Sequence, residues 1–232
     1  MDLLFDGIAH AFQLILRGDA QVMEIMWLSL RVSGIATLVS LVLGVPLGVA
    51  LGQSRFPGRR LALGVINTGM GLPPVAVGLF VSLFLWRSGP LGFLDLIYTP
   101  TAIVAAQCII ALPVVTGLTA AAVQQLDPRL RLQLLGLGAS RLQALRFLLR
   151  EARFSIIAAV MAGFGAVISE VGASMMVGGN ILHYTRVLTT ATVLETSKGN
   201  FDIAIALSVV LVGLTFIVSM LLTLAQQRGA EH

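Results

Sequence analysis

Six arginines, Arg129, Arg131, Arg141, Arg146, Arg150 and Arg153, fall within residues 127–153, between two strongly apolar stretches. Guanidinium groups stay charged and suit carboxylate or phosphate partners, so this segment cannot enter a bilayer and calls for a partner in water. It centres on Gly138-Ala139-Ser140-Arg141, and its chemistry is docking. Glu170 is the one carboxylate well inside an apolar run, and a bare charge at mid-membrane costs about 2.5–3.5 kcal/mol. Counted at about 1.5 Å per residue, Glu170 lies roughly 12 Å and Arg31 roughly 10 Å below the outer ends of their runs. Equal depth predicts an Arg31–Glu170 ion pair, within the chain or between copies, with Glu170 structural. His10, His183 and His232 have no metal-ligand spacing, and Cys108, the only cysteine, excludes an internal disulfide or thiolate cluster. There is no Gly-rich phosphate loop, no Ser-His-Asp set and no pair of acids placed for hydrolysis. We therefore expect no metal, no cofactor and no enzyme activity.

The elements that must position these groups are membrane spans. Hydrophobic residues make up 57% of the chain and charged residues 11%, with a mean hydropathy of +0.94, against a charged share of about a quarter in soluble domains. A net charge of +4 would suggest nucleic acid in a soluble domain, but the arginines lie between apolar runs without an aromatic stacking platform; lipid, not nucleic acid, is the expected surroundings. A window of about 19 residues finds apolar runs at 24–51, 61–86, 101–124, 154–178 and 203–224. Loop 52–60 carries Arg55, Arg59 and Arg60 without an acid, and 127–153 sets its arginines against Asp127 and Glu151 alone. The positive-inside rule makes both cytoplasmic. Loops 87–100 and 179–202, near neutral, then lie outside, as does the N-terminus, and the C-terminus with Arg228 lies inside. Asp2 and Asp6 stand where a signal peptide would be basic, so the N-terminus reads as retained. Leu4, Ile8, Phe12 and Ile15 share a helical stripe too short to span, an interfacial pattern, and Gly18-Asp19-Ala20 supplies a break and a cap. The organisation is an interfacial helix at 1–18 and one transmembrane domain at 19–232, including the cytoplasmic loop 126–153.

Gly44, Gly48 and Gly52 recur at every fourth position, and Gly163, Gly165, Ala166, Gly172 and Ala173 crowd the fourth run. Small residues let helix backbones approach closely; intramolecular packing explains them, with sliding contacts as the functional alternative. Pro73-Pro74 falls within the second run, where proline removes a donor and clashes with the preceding turn. The kink this predicts is either shape alone or a gate, and Pro46 and Pro113 carry the same signal more weakly. Asp127-Pro128 is a helix start, and Leu130, Leu134, Leu137, Leu142, Leu145 and Leu148 form an apolar stripe interrupted at Gly136 and Gly138. Periodicity alone reads this as an amphipathic helix resting on headgroups.

The wording of that segment adds more. Asp127-Pro128-Arg129-Leu130, then Leu137-Gly138-Ala139-Ser140-Arg141-Leu142-Gln143-Ala144, resembles the EAA loop of ABC importer permeases, a short coupling helix that docks in a cleft of the ATPase subunit. Gly138, Ala139, Ser140 and Arg141 match the family glycine and its followers. Leu132 and Leu134 stand where the family has its glutamate and an alanine, and Arg150 stands near its proline. Ile168-Ser169-Glu170-Val171-Gly172-Ala173, Met175 to Ile181, Thr185-Arg186-Val187 and Leu194 to Gly199 look like the tungstate branch, as do Asn67 to Leu79 and Ser88-Gly89-Pro90-Leu91-Gly92. Molybdate and sulfate permeases share a related block and are near neighbours.

The resemblance implies an all-α membrane protein of type I importer permease fold, with five transmembrane helices, an N-terminal interfacial helix and a cytoplasmic coupling helix, in a prokaryotic plasma membrane. It further implies a homodimer, two copies of an ATPase subunit, and an extracytoplasmic binding protein delivering tungstate, with molybdate or sulfate as the alternative. Gly136, Gly138, Ala139, Ser140, Arg141, Leu142 and Gln143 become candidate coupling residues. Neutral donors suit an anion that must be released, so Ser169, Ser174, Asn180 and Thr189 join Pro73, Pro74, Glu170 and Gly172 as candidate pathway residues, each weighed against a local hydrogen bond. Thr190 is a further donor, and Arg186 and Lys198 could steer the anion. A stand-alone secondary transporter would show internal repeats and several titratable groups in its spans, and an intramembrane enzyme would need nucleophile and base at one depth. Neither needs the arginine segment.

Overall fold

The computed structural model describes residues 2–54 and 56–228; the side chains of residues 2–6, His10, Pro128 and Arg228 also fall outside that description. Expectations placed on the side chains of Asp2, Leu4, Asp6, His10, Arg55, Arg228 and His232 therefore lie outside the described residues. Helices α1 (Asp2–Arg17) and α2 (Ala20–Gln53) are separated by Gly18, whose φ of +63° ends the first, and by Asp19, whose carboxylate accepts the Val22 N–H at 3.0 Å to start the second. Arg59 closes α2 by donating to the carbonyls of Leu51 at 2.7 Å and Gly52 at 3.4 Å, a cation at the negative end of a helix.

Helices α3 (Arg59–Met70) and α4 (Pro74–Leu85) follow, and their axes meet at 101°. The kink expected within residues 61–86 is thus a corner between two short helices. Each residue that precedes a proline is pushed out of the α region, and with Pro73 and Pro74 adjacent both Leu72 and Pro73 are so restricted; Pro73 sits at φ −62°, ψ 121°. A connection holding one 3-10 turn at Gly92–Leu94 leads to α5 (Pro100–Gln124), capped by Thr99. Then come α6 (Pro128–Gly136), α7 (Arg141–Glu151), α8 (Arg153–Ile168), α9 (Gly172–Gly178), α10 (Leu188–Ser197) and α11 (Phe201–Arg228). The fourth expected run, 154–178, is likewise broken, between α8 and α9. Helices α2, α5 and α11 are each long and apolar enough to cross a membrane, and counting the bent pairs α3–α4 and α7–α8 gives up to five crossings among the described residues.

Contacts between α2 and α5 rise together along both sequences. The Cys108 thiol lies 3.6 Å from the Ala36 carbonyl, Gly44 faces Val115 and Thr116, Gly48 faces Thr116 and Thr119, and Gly52 faces Ala120 and Val123. The two helices are therefore parallel, and the glycines at every fourth position are the packing surface between them. Helices α8 and α9 run the other way along α5, with Gly163 against Val115, Gln107 bonded to Val167 and Ser174, and Gly178 against Ile103. Because α2 and α5 are parallel, their arginine-following ends share one end of the bundle. The Gln226 amide donates to the Phe154 carbonyl at 3.1 Å, bringing the end of α11 there too. At the other end, Glu24 meets His183 at 2.7 Å and the Tyr98 N–H reaches the Val177 carbonyl at 2.9 Å.

Helix α1 packs on α11, with Gly7 against Ile205 and Ala11 fully buried. Ile8, Phe12, Ile15 and Leu16 point away from the protein. Of the stripe expected to be interfacial, Ile8, Phe12 and Ile15 lie on a face that the bundle leaves uncovered.

Candidate functional site

The arginine segment folds as a helical hairpin whose turn has local causes. Asp127 accepts the Arg129 N–H at 2.8 Å to start α6. At its end the N–H groups of Leu137, Gly138 and Ala139 return to the carbonyls of Gln133, Leu135 and Leu134, with Gly138 at φ +86°. That conformation costs an ordinary L-residue about 1–2 kcal/mol, which is why glycine occupies it. Ser140 and Gln143 then form a reciprocal capping box, at 3.3 Å and 2.7 Å, that starts α7. All the candidate coupling residues, Gly136, Gly138, Ala139, Ser140, Arg141, Leu142 and Gln143, therefore cluster at one exposed turn. The expected leucine stripe divides: Leu148 is buried beside buried Ala144, whereas Leu137 and Leu142 are 86% and 57% exposed, and Leu132 is 70% exposed. Arg129, Arg131, Arg141 and Arg146, near these leucines along the chain, are exposed as well, and Arg153 lies 4.6 Å over the Phe154 ring.

A second cluster forms where the two broken runs meet. Val75 at the start of α4 faces Gly172 at the start of α9, and Gly78 faces Ala173 and Met176. The corner at Pro73 and Pro74 and the break at Ser169, Glu170 and Val171 thus adjoin. Side chains from other elements satisfy the backbone that the second break frees. The Gln107 amide donates to the Val167 carbonyl at 3.1 Å, and the Thr189 hydroxyl donates to the Glu170 carbonyl at 2.8 Å. Gln107 also reaches the Ser174 hydroxyl at 3.5 Å, while its own Oε1 is buried without a partner.

Glu170 is 7% exposed, and its carboxylate accepts the Ala173 N–H at 2.8 Å in the first turn of α9. The Arg31–Glu170 ion pair does not form within the chain: the ion pairs among the described residues are Glu24–His183 and Glu195–Lys198. A carboxylate at a helix start finds a donor and favourable dipole in the backbone itself. The two depths also differ: the contacts of α8 and α9 with α5 put Glu170 level with the middle of that helix, near Cys108, whereas Arg31 is level with its first turn.

Of the other candidate pathway residues, Ser169 is exposed with its hydroxyl on the Gly165 carbonyl at 2.8 Å, and Ser174 and Thr189 are buried with their hydroxyls turned inward. Asn180, at φ +51°, is held by Arg186, whose guanidinium donates to its side-chain oxygen at 3.2 Å and its carbonyl at 3.3 Å. Thr190 caps α10 through the Val187 backbone. Lys198 at 2.8 Å and Asn200 at 2.7 Å both bond Glu195, and they hold its carboxyl below the usual range, Lys198 first. Gln107 is the residue that sequence reasoning passed over; an amide in the middle of an apolar run was the available signal.

The chain belongs to the family of binding-protein-dependent transport system inner membrane components, whose model matches residues 44–230. It is 37% identical over 227 residues to the tungstate uptake system permease protein TupB of Peptoclostridium acidaminophilum, covering 98% of this chain and 100% of that protein. A probable anion ABC transporter permease of Haloferax volcanii is 42% identical, over 83% of this chain and 85% of its own length. Sulfate permeases are more distant, as with CysW of Escherichia coli at 28% identity, over 88% of this chain and 74% of its own length. Among solved structures, an amino acid ABC transporter superposes with a TM-score of 0.68 at 20% identity, covering 94% of this chain and 98% of that chain. The inward-facing MetNI methionine ABC transporter gives 0.68 at 20% identity, over 87% of this chain and 91% of its own. These neighbours share the fold of type I importer permeases.

Proposed function

We propose that this chain is the membrane-spanning permease subunit of an ABC importer for tungstate, working as a homodimer with two copies of an ATPase subunit and an extracytoplasmic binding protein. The observation that carries the coupling part is the hairpin turn: exposed leucines interspersed along the chain with exposed arginines, on a capped corner, are a surface that this chain leaves uncovered. ATP is hydrolysed on the separate subunit, and the permease transmits the movement. The arginine-rich end is cytoplasmic, so the N-terminus lies outside and α1 rests along the outer surface with Ile8, Phe12 and Ile15 towards lipid. Tungstate is favoured by the 37% and 34% identical tungstate permeases over the sulfate permeases at 25–28%.

The pathway runs past the paired breaks, where Pro73, Pro74, Ser169 and Gly172 meet, because broken spans are tolerated where they line a cavity or pack on protein. Glu170, Ser174 and Thr189 act there by holding the second break in shape, and Asn180, beyond α9, offers a donor nearer the loop. Replacement Gly138→Asp, or deletion of residues 136–143, should leave the protein in the membrane while uptake collapses and ATP hydrolysis no longer responds to loaded binding protein. Undiminished uptake in both variants would refute the coupling role. The cargo is tested separately by calorimetry of the cognate binding protein with tungstate, molybdate and sulfate; retention of sulfate alone would overturn the tungstate assignment.

A further inference from the structure

Arg31 forms no ion pair among the described residues, yet it is exposed on a membrane-crossing helix. It lines a cavity of about 410 Å³ at the end of the bundle away from the hairpin, beside Thr101 and Tyr184 and against the apolar Ile35, Leu96 and Val104. No acidic side chain lines this cavity. The Thr99 hydroxyl at its rim is already used, donating to the Leu96 carbonyl at 2.6 Å and capping α5. The hydroxyls of Thr101 and Tyr184, both on exposed residues, have no protein partner among the described residues.

The register of the bundle sets the depth of this group. Ala36 meets Cys108 in the parallel α2–α5 pair, so Arg31 is level with the first turn of α5. From Arg31 to the end of α2 at Gln53 the helix covers about 34 Å at 1.5 Å per residue, close to the hydrocarbon thickness of about 30 Å. Arg31 therefore stands at the headgroup boundary. Directly below it, at the helical spacings +4, +7 and +11 that share one face, lie Ile35, Leu38 and Val42, exposed by 40%, 60% and 58%. That strip is about 16 Å long, half a bilayer's hydrocarbon depth.

We propose that the Arg31 cavity binds an anionic phospholipid of the leaflet opposite the arginine hairpin, with its phosphate on Arg31, Thr101 and Tyr184 and an acyl chain along Ile35, Leu38 and Val42. A guanidinium with flanking hydroxyls suits a phosphodiester. The positive charge selects a lipid with net negative charge, since no acidic side chain lines the cavity to hold the ammonium of a zwitterionic headgroup, and Glu24, the one acid on α2, is engaged by His183 at 2.7 Å. The site is independent of which anion is transported.

The test is native mass spectrometry of the full-length chain, in whatever assembly it retains, after exchange into mixed phosphatidylglycerol and phosphatidylcholine of equal chain length. Phosphatidylglycerol should be kept preferentially. Arg31→Gln should lower its retention about tenfold, the loss of one charge-assisted contact, with Arg31→Lys keeping part of it and Arg87→Gln changing nothing. The double variant Thr101→Val with Tyr184→Phe, which keeps every charge, should weaken retention without abolishing it. Equal retention of the two lipids, or no effect of Arg31→Gln, overturns the proposal. So does displacement of the lipid by millimolar inorganic phosphate, which would make this a free-anion site. A change in oligomer mass with Arg31→Gln at constant lipid would make it a contact between copies, which also overturns it.

Discussion

Gly34 and Gly48 share one helix and differ in what a methyl group would meet. At Gly48 it would lie 2.6 Å from the Thr116 carbonyl and 2.7 Å from the Thr119 Cβ, whereas at Gly34 nothing lies within 4 Å. Backbone cannot yield as a flexible side chain does, so Gly48→Ala should destabilise the bundle by about 1–3 kcal/mol. Gly34→Ala should be neutral or stabilising by up to about 1 kcal/mol, because alanine loses less entropy in a helix. Thermal unfolding in detergent ranks the two, and equal midpoints would contradict the parallel packing of α2 on α5. The spacing of Gly44, Gly48 and Gly52 was legible as a close-approach surface. Which helix approaches was not, since many registers accommodate a small-residue stripe.

The two broken runs show how far an element can be read from its own residues. The corner between α3 and α4 was visible because its cause, Pro73-Pro74, lies in the chain at the break. The break at Ser169 to Val171 contains no proline, and the groups that satisfy it come from Gln107 on α5 and Thr189 on α10. Removing such a partner from a buried carbonyl costs about 1–3 kcal/mol. Thr189→Val should therefore destabilise the protein by that amount and speed hydrogen exchange at the start of α9, while Thr189→Ser, which keeps the hydroxyl, should restore most of both. Matching behaviour of Val and Ser would mean that packing, and not the hydrogen bond, holds the break. The α6–α7 hairpin is the opposite case. Asp127, Gly138, Ser140 and Gln143 act within a few residues of one another, so the helix start and the interruption at Gly136 and Gly138 were legible in the chain, although periodicity read the segment as one amphipathic helix.

At the scale of the whole molecule, charge and packing lead to one division of the loops. Arginine content groups the loops at 52–60 and 127–153, and the parallel α2–α5 pair brings the same two to one end of the bundle. If that end is cytoplasmic, then in a Cys108→Ser background a cysteine at Leu91→Cys should react with a membrane-impermeant maleimide on intact cells. Ser140→Cys should react only after permeabilisation, and the reverse pattern would invert the proposed orientation. Membrane residence, the approximate runs, the shared side of the basic loops and the interruption of the leucine stripe at Gly136 and Gly138 were settled by the sequence itself, because hydropathy, charge count and local breakers act over a few residues to a single span. The partner of Glu170, the role of Gln107 and the depth of Arg31 were decided only by tertiary structure. Each depends on the register in which helices distant in sequence lie against one another, and a one-dimensional pattern of small and apolar residues permits several registers where close packing of real side chains selects one.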